Sequence, residues 1–343
     1  MEEMGVIGNL DDPRLNYDYA KRERGTVAQD KTRAPFQWVS AVAYKNVHRI
    51  VARGYDTTEL VEAGYGLPDI IFVDFQARIP LMEETQMLNY IMILSLDDGL
   101  SSPAAIARIT GSSTTLLTQA CGASILAFGH TYGAFDSFGK MLDTYLALVE
   151  KEGKSMTEAA ELLAKENLNT VHLGVSDLML KDPAAKRTLA RAEKLGVAGK
   201  YIAFLKEVVA AVQKQSDKPV DLDLLGAIGA TMMDLGFSSD ATWVIIAITR
   251  AFAAGAHWCE EVEREPRRRF GEDLTPQEDY DGPADRPVPT LEERKKFAAA
   301  AEYKTPEEWK QGFEEKQKMY GTGWRIVEDI VDPRDFLKKQ GKK

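Results

Sequence analysis

The chain has 343 residues, 44% of them hydrophobic and 28% charged, enough apolar material for one large or two modest globular domains. A formal net charge of −10 and a pI near 5.1 argue against non-specific binding to nucleic acid, which needs a basic face to neutralise phosphates. No apolar run reaches the ~20 residues of a bilayer span, and the acidic, polar start MEEMGVIGNLDDPRLNYDYAKRERG is unlike a signal peptide, so a cytoplasmic protein without a membrane partner is expected.

Residues 1–35 mix charges with Gly, Asn and Pro without a period and read as an N-terminal arm. From Phe36 to Pro80 short apolar clusters are split by Arg53-Gly54-Tyr55-Asp56 and by Gly64-Tyr65-Gly66-Leu67-Pro68, a pattern of short helices or a small hairpin with turns. Within it, the short apolar run from Asp69 to Phe75 is ambiguous, with a strand allowed on propensity alone. Glu83 to Leu96 carries Met87, Leu88, Ile91 and Met92 on one stripe and predicts a helix packed on one face. Asp97-Asp98-Gly99 breaks that pattern, and Ser101, Ser102 and Pro103 then supply an N-cap and a proline at the start of a new helix, leaving two carboxylates at a helix mouth.

Thr114 to Phe128, with Ala120, Gly122, Ala123 and Ser124, is a small-residue helix expected to be buried by close packing. It ends at a second polar knot, Gly129-His130-Thr131-Tyr132-Gly133. Ser155 and Glu158 form a capping box, and Ala198–Gln215 and Ser239–Glu261 are long helices by period. Strands alternating with helices, G-x-G-x-x-G and the P-loop are all absent, which excludes a dinucleotide-binding fold. Cys121 and Cys259 lie in apolar helical settings and offer neither a disulfide framework nor a zinc spacing, so no metal is expected. Beyond Trp258 the charge becomes dense, including Arg264-Glu265-Pro266-Arg267-Arg268-Arg269, and residues 301–343 form a C-terminal extension in which Thr305-Pro306-Glu307-Glu308 caps a short helix.

Several of these stretches, in order, resemble the citrate synthase and citryl-CoA lyase superfamily. Leu96-Asp97-Asp98-Gly99 and Gly129 to Asp136 stand where that family has A-D-H-(E/G) and G-P-L-H-G-G-A-N. Ile50 to Asp56 with Glu59-Leu60 resembles its RGYD segment, and Lys181-Asp182-Pro183 the end of its GHRVYK-x-x-DPR segment. Gly229 to Gly236, Thr249-Arg250 with Ala256-His257, and the ending from Arg264 to Arg294 complete the series over roughly residues 37–294. The resemblance implies a mainly α, citrate synthase-like fold: a large helical domain of residues 36–131 and 229–300 with an inserted small helical domain of 132–228. It also makes residues 69–75 a helix. It implies coenzyme A, in the form of an acyl-CoA substrate, and a dimer, either a homodimer or a heteromer with a citrate synthase-fold partner.

The family's chemistry is proton removal next to a thioester, with donors aimed at the enolate and arginines on a keto acid. Here the frame is kept and the reactive positions are refilled. Asp98 stands at the first His and Tyr132 at the enol-binding His, making these two the candidate catalytic pair: Asp98 as acid/base or a plain helix cap, Tyr132 as an oxyanion donor or a packed aromatic. Val175 replaces the His of GHRV and Leu225 the catalytic Asp, although Asp221 and Asp223 lie within a one-turn shift of it. Arg250 matches the carboxylate-binding Arg, Ala184 has replaced the Arg of DPR, and Arg267 or Arg268 could reach across a dimer. Lys181, Lys186 and Arg187 stand where CoA phosphates are expected, or simply begin a solvated helix. His130 and His257 read as packing histidines. Two functions remain open: a lyase or transferase acting on a CoA thioester with a more hydrophobic, non-citrate substrate, and a non-catalytic citrate synthase-fold subunit that pairs with an active partner.

Overall fold

A computed structural model describes residues 40–45, 48–168, 173–177, 183–266 and 287–297, with Glu307, Gln311 and Glu314 in addition and Thr131 by its backbone alone. Residues 1–270 and 271–343 form two units; every element named below lies in the first, except a 3-10 turn at Glu293–Phe297 in the second. The N-terminal arm and most of the C-terminal extension, including its expected helix cap, lie outside the described residues.

The first unit opens with a three-stranded antiparallel sheet, β1 (Ala43–Lys45), β2 (Ile50–Ala52) and β3 (Tyr55–Asp56), in which Tyr44 pairs with Val51 and Ala52 with Tyr55. Arg53, at the β2–β3 turn with φ 49°, donates to the carbonyls of Ala41 and Asp74, while Asp56 accepts from Thr58 and Glu59 to cap α1 (Thr57–Glu62). The Arg-Gly-Tyr-Asp stretch is therefore a clasp between this sheet and the end of α2 (Leu67–Gln76). That segment is a helix despite its β-prone Ile70-Ile71-Phe72-Val73, because Pro68 opens the first turn and the Asp69 carboxylate returns to the Gly66 N–H. Local capping outweighs β propensity here.

Helices follow one another from there. They are α3 (Met82–Ser95), α4 (Ser102–Ser112), α5 (Leu117–Ala127), the single turn α6 (His130–Gly133), α7 (Phe135–Glu152) and α8 (Met156–Asn167). After β4 (Val175–Asp177) come α9 (Pro183–Lys194) and α10 (Lys200–Gln215), then β5 (Val220–Leu222), α11 (Leu224–Asp234) and α12 (Ser239–Arg264). The mainly α fold class expected from the sequence is the one observed. Ser155 and Glu158 cap α8 reciprocally, as their spacing predicts.

One apolar core runs through α2, α3 and α7 to α12, with Phe72, Met87, Phe138, Leu163, Phe204 and Met232 all fully buried. Glycines set its closest approaches. A Cβ on Gly229 would lie 2.7 Å from the Phe138 ring, and one on Gly226 would lie 2.6 Å from the Cα of Gly174. The second contact, together with the Asp223 N–H donating to the Gly174 carbonyl, holds β4 against β5, where Val175 pairs with Leu222.

The small-residue helix departs from expectation. It starts at Leu117, after Thr114 takes φ 63°, and only Ala120 and Ser124 are buried, while Leu126 is 89% exposed. Its small residues do allow close packing, but on one face: Ala120 meets Ala107 of α4 and Ala254 of α12, with Trp258 alongside. Among the described residues no helix is long and apolar enough to cross a membrane.

Candidate functional site

The loop between α3 and α4 carries Asp97 and Asp98, and the middle of α12 brings Arg250 and His257 up to it. Arg250 is a buried guanidinium whose Nε donates to the Ser95 carbonyl at 2.7 Å, at the last turn of α3 where helix carbonyls lack partners. Its Nη1 forms an ion pair with Asp98, and its guanidinium carbon lies 5.9 Å from the centre of the Phe128 ring. One residue earlier, the Asp97 carboxylate accepts from the Gly99 N–H at 2.9 Å and meets His257 Nε2 at 3.3 Å. Burial pushes Asp97 up, but the Gly99 N–H, His257 and Arg250 together outweigh it and hold the carboxyl below its usual range.

Phe128 links this cluster to Tyr132. The two rings are 6.3 Å apart, and the Tyr132 hydroxyl lies 3.0 Å from Ser102 Oγ and accepts from the Ser102 N–H at 3.2 Å, at the N-terminus of α4. Trp243 of α12 donates to the Phe128 carbonyl at 3.2 Å and takes the His130 ring edge-on at 4.9 Å. His130 is exposed, with Asp136 at 3.4 Å. So Asp98, Tyr132 and Arg250 come together around Phe128, with Asp98 committed to Arg250 and Tyr132 to Ser102.

A second set of candidates lies at and beside the β4–β5 pair. Val175 and Leu225 are half-buried against the main core. Neither nearby acid is left over for proton transfer: Asp223 accepts from the Gly226 N–H at 2.7 Å and caps α11, and Asp221 holds Lys186 Nζ at 2.5 Å and the Leu222 N–H at 2.9 Å. Lys186 and Arg187 project from the first turns of α9, both exposed. Lys181, Arg267 and Arg268 lie outside the described residues. An open cavity of about 650 Å³ is found elsewhere, lined by Tyr65, Pro68, Asp69, Met82, Thr85 and neighbours; no candidate residue lines it.

Sequence reading missed the ionic partners. His257, read as a packing histidine, is the partner of Asp97, 160 residues away. Arg108 of α4 is bound by Glu261 at 2.7 Å and Glu260 at 2.8 Å, a buried cross-tie to α12 that nothing in the local pattern of either helix announces. Only the i, i+3 and i+4 crowding of acids and bases at the end of α12 signals a charged patch.

Comparison with known proteins agrees with this architecture. The sequence profile of the family described as citrate synthase, C-terminal domain, matches residues 71–270. Citryl-CoA lyase from Hydrogenobacter thermophilus superposes with a TM-score of 0.63 at 24% identity, covering 76% of this chain and 100% of the lyase. A Methanosaeta concilii ATP citrate lyase in complex with (3S)-citryl-CoA gives 0.56 at 14% identity, covering 85% of this chain and 48% of the other. Citrate synthase from Thermoplasma acidophilum, in ternary complex with carboxymethyl coenzyme A and oxaloacetate, gives 0.54 at 20% identity, covering 67% of this chain and 60% of the synthase. Among curated protein sequences none matches significantly.

Proposed function

The chain belongs to the citrate synthase family, and from that membership we propose that it is a citrate synthase-fold subunit without citrate chemistry of its own, which pairs with a second citrate synthase-fold protomer and retains recognition of a CoA thioester. The observation that carries this is the internal pairing of the charges around Arg250. Arg250 is neutralised by Asp98 and Asp97 is engaged by His257, while Val175 and Leu225 supply no proton acceptor. A mechanism that abstracts a proton beside a thioester needs a base within hydrogen-bond reach of that proton and a donor to the keto oxygen. Neither aliphatic side chain can serve.

The assembly half of the proposal rests on an inverted pattern in α4, α5 and α12. Their mutual contact is made by alanines, whereas Ile109, Leu116, Leu126, Val244, Ile248 and Phe252 are exposed. Val244, Ile248 and Phe252 recur every fourth residue and form one stripe along α12. Large apolar residues outside and small ones inside mark a surface awaiting a partner. We place the large domain at 36–131 and 229–300 and the inserted small domain at 132–228. The CoA thioester is proposed to approach near Lys186 and Arg187, by analogy with the CoA ligands of the solved relatives.

A second reading keeps one observation in its favour: Tyr132 is held by Ser102 at a helix N-terminus, a position from which a phenol can donate to an enolate. Under it, the protein is a CoA-thioester lyase or transferase with a hydrophobic, non-citrate substrate. Incubation with acetyl-CoA plus oxaloacetate, and with citryl-CoA, tests the first reading; no product is expected, and citrate formation would overturn it. Calorimetric titration with CoA and acetyl-CoA is expected to show binding. If turnover of any acyl-CoA is found, its loss in Asp98→Asn with assembly intact would favour the second reading.

A further inference from the structure

We propose that Asp98 is a self-supplied carboxylate: it fills an anion site built on Arg250 that would otherwise take the carboxylate of a small organic acid. This deepens the reading above and rests on it for taking the cluster around Arg250 as the substrate site. Arg250 has the attributes of a built anion site. Its side chain is 10% exposed, its Nε is fixed on the Ser95 carbonyl, and the Phe128 ring lies beside it, so one edge of the guanidinium remains for an acceptor. A guanidinium carries five N–H donors and no acceptor, and its preferred partner is a two-oxygen anion.

Asp98 meets that need from a loop. Its side chain is 37% exposed, and one of its carboxylate oxygens meets Nη1 in an ion pair. The cluster holds two acids, Asp97 and Asp98, against Arg250 and His257, so an incoming carboxylate meets a guanidinium whose charge is already spent. Removing Asp98 reverses that balance: a buried cation is left facing solvent through the space the aspartate occupied. Asp98 thus acts as a specificity residue that keeps small acids off Arg250.

The full chain carrying Asp98→Ala is titrated with formate and acetate, against matched chloride, by calorimetry and by thermal melting. Saturable binding about tenfold or more tighter than in the wild type is expected, the size of one charge-assisted contact, together with a carboxylate-dependent rise in melting temperature that the wild type lacks. Asp98→Asn keeps the shape without the charge and gives a smaller response of the same sign; it also serves if the alanine variant does not fold. Adding Arg250→Met to Asp98→Asn removes the response. Equal affinities in wild type and both variants, or a response that survives loss of Arg250, overturns the proposal. A wild type that binds neither CoA nor acetyl-CoA and forms no oligomer would sink the preceding reading without altering this titration, so the two failures are distinguishable.

Discussion

The helices α7 to α11 and the helices α4, α5 and α12 solve the packing problem in opposite ways. In the first group large side chains point inward and glycines make room for them: Phe138 is fully buried, with Gly229 on one side and Gly174 on another. Where the helices of the second group meet one another alanines point inward and Ile109, Leu126 and Phe252 point outward, although α12 also gives Ile245 and Ile246 to the main core, and the polar contacts that bind these helices together are ionic, as in Arg108 with Glu261. A region whose apolar side chains are already buried is complete by itself. A helix-to-helix contact that keeps large apolar residues outside and charges inside is shaped by something other than its own stability.

That contrast makes the first group the place where single substitutions cost most. Phe138→Ala is expected to lower stability by about 3–5 kcal/mol, the range for deleting a buried aromatic ring. Urea unfolding with the midpoint little changed would break the contrast. Glycine substitutions sharpen it within one experiment. Gly226→Ala places a methyl against the backbone of Gly174, which cannot rotate away, and should cost about 1–3 kcal/mol. Gly122→Ala, on exposed α5 with no atom within 4 Å of the new methyl, should be neutral or stabilising by up to about 1 kcal/mol, since alanine is the better helix former. Equal effects at the two positions would show that the first group is not the tighter.

Much of this architecture is legible in the sequence where its causes are local. The capping box at Ser155, the apolar stripe of α3 and the long periods of α10 and α12 predict elements that the structure contains, because each depends on residues within a turn or two. The run from Asp69 to Phe75 is ambiguous by propensity and is settled by Gly66, Pro68 and Asp69 just outside or at its edge. The candidate site is legible in a different sense: the motif order names Asp98, Tyr132 and Arg250, but not what they touch. Asp98 with Arg250 and Asp97 with His257 are pairs separated by some 150 residues, and a carboxylate reads the same in sequence whether it faces substrate or its own chain's arginine. The expectation of a buried α5 fails for a related reason. Small residues announce a close contact on one face and are silent about the other.

A smaller effect, from pH, is expected at α3, which belongs to neither group. Arg78 and Glu84 are joined at the start of α3 by two 2.7 Å hydrogen bonds. Burial pushes the Glu84 carboxyl up, but Arg78 and the Leu81 N–H outweigh it and hold it below its usual range. A carboxylate lowered in the folded state contributes stability that is present above its unfolded value, about 4.3, and is lost as pH falls through its folded value. Because the Arg78 side chain is 38% exposed, solvent screening limits the contribution to roughly 1 kcal/mol or less. Glu84→Gln should therefore be less stable than wild type at pH 7 and converge with it in acid. Parallel stability curves down to pH 3 would remove Glu84 from the account.

The smallest expected change in fold stability accompanies the most informative change in behaviour. Leu126 and Phe252 lie on the outer faces of α5 and α12, 89% and 63% exposed. Replacing both by glutamate removes few contacts within the chain, so stability measured at low protein concentration should move by no more than about 0.5 kcal/mol. If the outward leucines and phenylalanine form a subunit interface, the same pair of charges must be desolvated on association, at a cost that marginal interfaces do not survive. Sedimentation equilibrium at micromolar concentration should then show an oligomer for the wild type and a monomer for Leu126→Glu/Phe252→Glu, with unchanged helicity by circular dichroism. A control at an exposed polar position of the first group, Glu193→Lys on α9, should leave the oligomer intact. A wild type that sediments as a monomer, alone and with any co-purified protein, would mean that the inverted pattern of α4, α5 and α12 has another origin, and the assembly half of the proposed function would fall with it.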